Sequence, residues 1–105
     1  MTQQRYRVLV DDNFHYMKEE ERYAAGTFGS YAEAVAKCKA IVEACLREMA
    51  KPGMTADELY RAYGTFGEDP WIPETPTGTA RFSAWDYART RSQELCPPGD
   101  SDTAT

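Results

Sequence analysis

Residues 30–51 read SYAEAVAKCKAIVEACLREMAK, and this pattern predicts a long amphipathic helix. Apolar side chains recur there at steps of three and four, and charged side chains occupy the opposite face. Ser30 is placed to accept a hydrogen bond from a free N–H of the first turn, and Glu33 to bond back to the N–H of Ser30. Pro52 cannot continue the helix because it has no N–H. We expect the rest of the chain to pack around this helix.

Two strands are predicted before the helix. In residues 5–10 the apolar Tyr6, Val8 and Val10 alternate with Arg7 and Leu9, which predicts a strand with one well-buried face. Residues 22–28 resume a strand pattern, with Gly26 indicating a bulge. Between the strands, turn-forming side chains follow one another at Asp11, Asp12 and Asn13. These features predict an antiparallel hairpin that leads directly into the helix.

A second helix is predicted to begin after Thr55, because Thr55 and Glu58 have the spacing of a reciprocal capping box. We expect it to cover residues 56–63 and to end at Gly64, since glycine is common at helix ends. The fifteen residues 65–79 contain three prolines and two glycines. That composition predicts a long loop.

A short third strand is predicted over residues 79–82, followed by a third helix that Ser83 caps and that runs to about Leu95. The predicted order is therefore β-β-α-α-(β)-α. A small antiparallel sheet with three helices on one face, an α+β fold, would bury the apolar faces in two layers. We expect one globular domain over residues 4–96 and a disordered tail over residues 97–105.

The composition argues against several classes of function. Seventeen acidic and twelve basic residues give a net charge of −5, which disfavours binding to nucleic acids and to anionic membranes. An apolar run long enough to cross a membrane is absent, and we expect a cytoplasmic protein. Three cysteines without a Cys-x-x-Cys pair indicate neither a disulfide framework nor a thiolate zinc site, and no cofactor is predicted.

Three stretches of the sequence are distinctive. They are VDDNFHYMKEEERYAAGTF at 10–28, KPGMTADELYRAYGTFGEDPW at 51–71 and FSAWDYA at 82–88. Through them the chain resembles, over nearly all of residues 5–96, a family of small uncharacterised bacterial proteins of about this length. The resemblance implies a single bacterial cytoplasmic domain, and it brings no activity, cofactor or catalytic residue with it.

One candidate site combines the sole histidine with nearby polar side chains, namely Asp11, Asp12, Asn13 and His15. Carboxylates and an imidazole are suited to binding a metal or ligand and to general acid–base catalysis. The spacing does not match a helix-loop-helix calcium site, because Arg22 stands where a bidentate glutamate is required. The alternative interpretation is a hairpin turn whose Asp and Asn side chains bond their own backbone.

A second candidate is an interaction surface rich in aromatic residues, made of Tyr60, Tyr63, Phe66, Glu68, Asp69, Trp71 and Trp85. Leu, Ile, Val and Phe total only 14 of 105 residues, so a protein partner or a second copy would help to complete the core. A homodimer through the second helix, residues 66–72 or the third helix is one prediction. Alternatively, the aromatic side chains plug the core.

The sequence therefore favours a non-enzymatic protein-interaction or adaptor module, with no catalytic residue assigned. The alternative is a small enzyme or metal-dependent ligand binder that uses Asp11, Asp12 and His15. The two hypotheses make different predictions, because only an enzyme or metal-dependent binder requires those side chains to converge in a concave pocket.

Overall fold

The structure is a computed structural model and describes residues 5–13 and 22–97. Its elements are β1 (Tyr6–Asp12), β2 (Tyr23–Phe28), α1 (Tyr31–Met49), α2 (Ala56–Phe66), β3 (Glu68–Trp71) and α3 (Ala84–Leu95). The predicted α+β class and the order β-β-α-α-β-α are confirmed. Of the tail predicted over residues 97–105, all but residue 97 lies outside the described residues.

The sheet has three antiparallel strands in the order β2-β1-β3, with β1 at its centre. Val8 and Val10 of β1 are fully buried, as the alternation predicts. Along β2 the pairing shifts at Ala25, which forms the bulge predicted near Gly26. Gly26 has a φ of 149°, and a Cβ there would meet the ring of Phe28, so glycine suits this position.

The third strand is not where the sequence placed it, and the prediction over residues 79–82 is wrong. β3 instead lies within the segment predicted as a loop, where Pro70 pairs with Val10 of β1. β3 is an edge strand, so the missing N–H of Pro70 is tolerated, and its ring is fully buried. Asp11 and Asp12, predicted as turn residues, belong to β1 because β3 pairs with them.

All three predicted helix starts are confirmed, at Ser30, Thr55 and Ser83. Each side chain accepts a hydrogen bond from the backbone N–H three residues later, at 3.1 to 3.2 Å. At Thr55 the box is reciprocal, because Glu58 Oε1 accepts from the Thr55 N–H at 2.9 Å.

The predicted end of α2 is wrong, because the helix continues through Gly64 to Phe66. It ends at Gly67, whose N–H donates to the carbonyl of Tyr63 at 2.8 Å. Gly64 has a different role: a Cβ at this position would lie 3.1 Å from the ring of Trp85. The glycine therefore lets an α3 side chain pack against α2.

The core is divided along α1. Ala34 and Cys38, in its first half, pack with Val8, Val10 and Ile72 of the sheet side. The second half of α1 packs against α2 and α3 through Val42, Leu46, Leu59, Tyr63, Ala84 and Ala88. Within the described ranges, no helix is long and apolar enough to cross a membrane. The central helix predicted from residues 30–51 is thus shared by both parts of the core.

Candidate functional site

The two candidate sites predicted from the sequence meet where β1 pairs with β3. Asp11 lies directly opposite Asp69, and Asp12 lies opposite Glu68. Facing residues of an antiparallel pair lie close together, so four acidic residues come to one end of the sheet. The sequence did not indicate this arrangement, because β3 was not predicted.

Three of these carboxylates are held by different donors. Arg22 Nε donates to Asp11 Oδ1 at 2.6 Å, and Trp85 Nε1 donates to Asp69 Oδ2 at 3.3 Å. The hydroxyl of Tyr23 donates to Glu68 Oε1 at 3.1 Å. Burial raises the pKa of Asp69, and the charge of Asp11 raises it further.

The described side chains of this cluster do not form a metal site by themselves. Among the residues that the structure describes, no three His, Cys, Asp or Glu side chains could hold a metal ion together. Asn13 is used structurally, because its Nδ2 donates to the carbonyl of Tyr63 and its backbone N–H to that of Gly67, both at 3.0 Å. His15 lies outside the described residues, so its predicted role stays a prediction.

The predicted aromatic surface is divided among different environments. Tyr63 is fully buried, its hydroxyl donates to the carbonyl of Glu68 at 2.6 Å, and burial raises its pKa. Trp71 is half-buried, with the Arg22 guanidinium 5.2 Å from its ring centre. Trp85 is 37% exposed and packs edge-on against Tyr60, with ring centres 6.1 Å apart. Tyr60, Tyr63 and Trp85 therefore join α2, α3 and β3.

A groove of about 490 Å³ runs along α1 beside the end of α2 and the start of β3. Its floor consists of α1 side chains, namely Ala40, Ile41, Ala44 and Cys45. Its wall includes Glu68 and Phe66, and Phe66 is 63% exposed. Ala40 and Ala44 are exposed and small, so a second backbone can approach α1 closely. We call this feature the α1 groove.

Lys37 and Glu48 also line the α1 groove, one towards each end of its floor. They are about three helical turns apart on the same face of α1, a separation of roughly 16 Å. Within residues 5–13 and 22–97, neither side chain has a hydrogen-bond or ion-pair partner. Among the described residues, the groove therefore combines an apolar floor with one unpaired positive group and one unpaired negative group, beside Glu68, which accepts a hydrogen bond from Tyr23.

The thiols near the groove are poorly suited to nucleophilic chemistry. Burial raises the pKa of Cys45, which lines the groove, and raises that of Cys38 to about 12. Because the thiolate is the reactive form, both groups stay protonated and weakly nucleophilic at neutral pH. Cys45 thus contributes apolar surface to the groove.

The α1 groove was not predicted from the sequence, although the sequence contains a signal for it. The buried line of α1 is narrow and runs through Ala34, Cys38, Val42 and Leu46. Ile41 and Cys45 widen the apolar face on one side of this line, and exposed Ala40 and Ala44 extend it further. An apolar face wider than the core requires indicates a surface available for another element.

Comparisons with known proteins add no further constraint on this site. No family model matches the chain, and neither a curated protein nor a solved structure matches it.

Proposed function

We propose that this protein is a non-enzymatic protein-interaction module that binds an amphipathic helix in the α1 groove. The observation that carries the proposal is the floor of the groove, where exposed Ala40 and Ala44 lie beside the half-buried Ile41 and Cys45. An amphipathic helix presents a matching apolar stripe, and helix-in-groove docking is a common mode of recognition.

The dimensions of the groove also favour a helix as the occupant. The floor extends over about three helical turns between Lys37 and Glu48, which fits a helix lying along α1. Small side chains permit the short interaxial distances at which helices pack. Phe66 and Met49 add the aromatic and thioether surface that is enriched in protein interfaces.

The alternative, an enzyme or metal-dependent binder built on Asp11, Asp12 and His15, has less support. Asp11 is engaged by Arg22, and the acidic side chains near it have separate donors. We infer a cytoplasmic location from the cysteines, because Cys38, Cys45 and Cys96 are all free thiols, as is usual in a reducing compartment.

A displayed library of helical peptides tests the proposed function. We expect selected peptides to share apolar positions at steps of three and four and to lose binding to an Ala44→Arg variant, whose long charged side chain would fill the groove. Ala32→Arg is the matched control, because Ala32 is also exposed on α1 but lies more than one turn before Lys37 and does not line the groove.

Circular dichroism would first establish that both variants remain helical. Peptides that bind the Ala44→Arg variant as tightly as the parent protein would contradict the proposal. So would a selection in which no peptide is enriched.

A further inference from the structure

We propose that the helix bound in the α1 groove is α1 of a second copy of this chain, lying antiparallel to the first. This inference rests on the proposed function and identifies its partner. It places the dimer on α1 rather than on α2, residues 66–72 or α3, where the sequence analysis expected it. This dimer is supported by the charges at the ends of the groove, by the groove floor and by two-fold symmetry.

Two-fold symmetry matches the charged ends of the groove to each other. If the axis passes level with residues 42 and 43, Lys37 of one copy lies opposite Glu48 of the other, and the same pair forms again at the other end. A parallel arrangement would instead bring each of these residues against its own copy, with like charges facing each other. The distribution of charge along α1 therefore selects the antiparallel orientation.

The same axis brings complementary floor residues together. Ile41 lies opposite Ala44 of the second copy, and Ala40 lies opposite Cys45, so each larger side chain faces an exposed alanine. Pairing of large with small side chains lets two helices interdigitate at close range. Phe66, at the wall of the groove, would then cover the flank of the incoming helix.

Lys37 and Glu48 differ from the charged residues that lie between them on α1. Glu43 is bonded by Arg47 and Arg91 within the chain, and the ammonium of Lys39 lies 5.6 Å from the ring centre of Tyr87. Across the described residues, Lys37 and Glu48 have no such partner. These two charges at the groove are therefore available to a second copy.

The interface is expected to be of moderate strength. A stable complex usually buries about 800 Å² on each partner, and a three-turn helix contact supplies only part of that area. We therefore expect a monomer–dimer equilibrium that depends on protein concentration. Sedimentation velocity over a hundredfold concentration series should show the mass rising from 11.9 kDa towards twice that value.

Charge reversal provides the decisive test. Lys37→Glu alone and Glu48→Lys alone should each leave the protein monomeric, because both ends of the antiparallel contact become repulsive. An equimolar mixture of the two variants should dimerise, since every facing pair is then one acid and one base. The double variant K37E/E48K should dimerise by itself for the same reason. Lys51→Glu is the control for net charge, because Lys51 is exposed and lies outside the groove.

Each other outcome overturns the inference. A parent protein that stays at 11.9 kDa throughout has no self-association. A dimer that survives both single reversals, or that is lost on Tyr60→Ala instead, uses another surface. If the monomeric protein still binds library peptides in an Ala44-dependent manner, the proposed function stands and only the choice of partner is wrong.

Discussion

Glu43 links two helices through a single carboxylate. Arg91 on α3 donates to it through Nε and Nη2, Arg47 donates from the next turn of α1, and the hydroxyl of Tyr87 donates at 3.2 Å. The hydrogen bonds from Arg91 hold the pKa of Glu43 well below its ordinary value of 4.5, at about 2. The ionised carboxylate is thus part of what fixes α3 on α1.

Glu43→Gln should lower stability at neutral pH by about 1–2 kcal/mol, because a charge-assisted hydrogen-bond network becomes a neutral one. The folded-state pKa is the lower one, so this contribution is present above pH 4.5 and is lost as the pH falls towards about 2. Urea unfolding of both proteins at pH 7 and near pH 2 would measure it. The two midpoints should differ at pH 7 and converge at low pH.

The control for this prediction is the pair of Arg61 and Asp57 on α2, in which the two side chains are 79% and 69% exposed. Exposed pairs contribute little, so Arg61→Gln should change stability by less than about 0.5 kcal/mol. An equal loss in Glu43→Gln and Arg61→Gln would show that Arg91 does not hold α3 through Glu43.

At one position of helix α2, side-chain packing overrides intrinsic helix propensity. Inside a helix, alanine is ordinarily more favourable than glycine by roughly 0.5–1 kcal/mol. At Gly64, however, the new methyl group would lie 3.1 Å from the ring of Trp85. That ring is held by Asp69 and packs edge-on against Tyr60 and Tyr63.

Gly64→Ala is therefore expected to destabilise the protein by about 1 kcal/mol, because the cost of overpacking exceeds the gain in helix propensity. Thermal unfolding would measure the change. Removing the Trp85 ring should reverse the sign of this stability change, so that adding Gly64→Ala to a Trp85→Leu background raises the unfolding midpoint. A higher midpoint for Gly64→Ala alone would mean that Trp85 moves aside freely.

The elements that were predicted well are those specified by local contacts. Ser30, Thr55 and Ser83 bond the N–H groups of their own first turns, so a few neighbouring residues suffice to mark each helix start. β3 depends instead on a distant strand: its proline and acidic residues have low strand propensity, and pairing with β1 overrides that preference. The α1 groove likewise depends on distant contacts, because it forms on the flank of α1 that the other elements leave uncovered.

For the whole molecule, the three thiols lie at different depths. Cys38 is fully buried between α1 and the sheet, and its pKa is raised to about 12 by burial. Cys45 and Cys96 are half-buried. The labelling rates of the three thiols therefore distinguish global unfolding from local opening at the surface.

Cys38 should react with an alkylating agent only through global unfolding, whereas Cys96 should react from the folded state and Cys45 from the folded monomer, in which the α1 groove is open. Mass spectrometry of peptides after timed labelling would give the three rates. In Glu43→Gln the Cys38 rate should rise in step with the loss of stability. If Cys38 of the parent protein is labelled as fast as Cys96, then Cys38 is not buried between α1 and the sheet.

The position of β3 has a consequence for the order in which the chain folds during its synthesis. β1 and β2 leave the ribosome early and can pair at once, but the second edge of β1 gains its partner only after residues 68–71 have emerged. Until then a strand carrying Val8 and Val10 has unpaired backbone groups along one side, which favours pairing with other nascent chains. The interval between the emergence of β2 and the emergence of β3 is thus one in which this protein is exposed to misassembly.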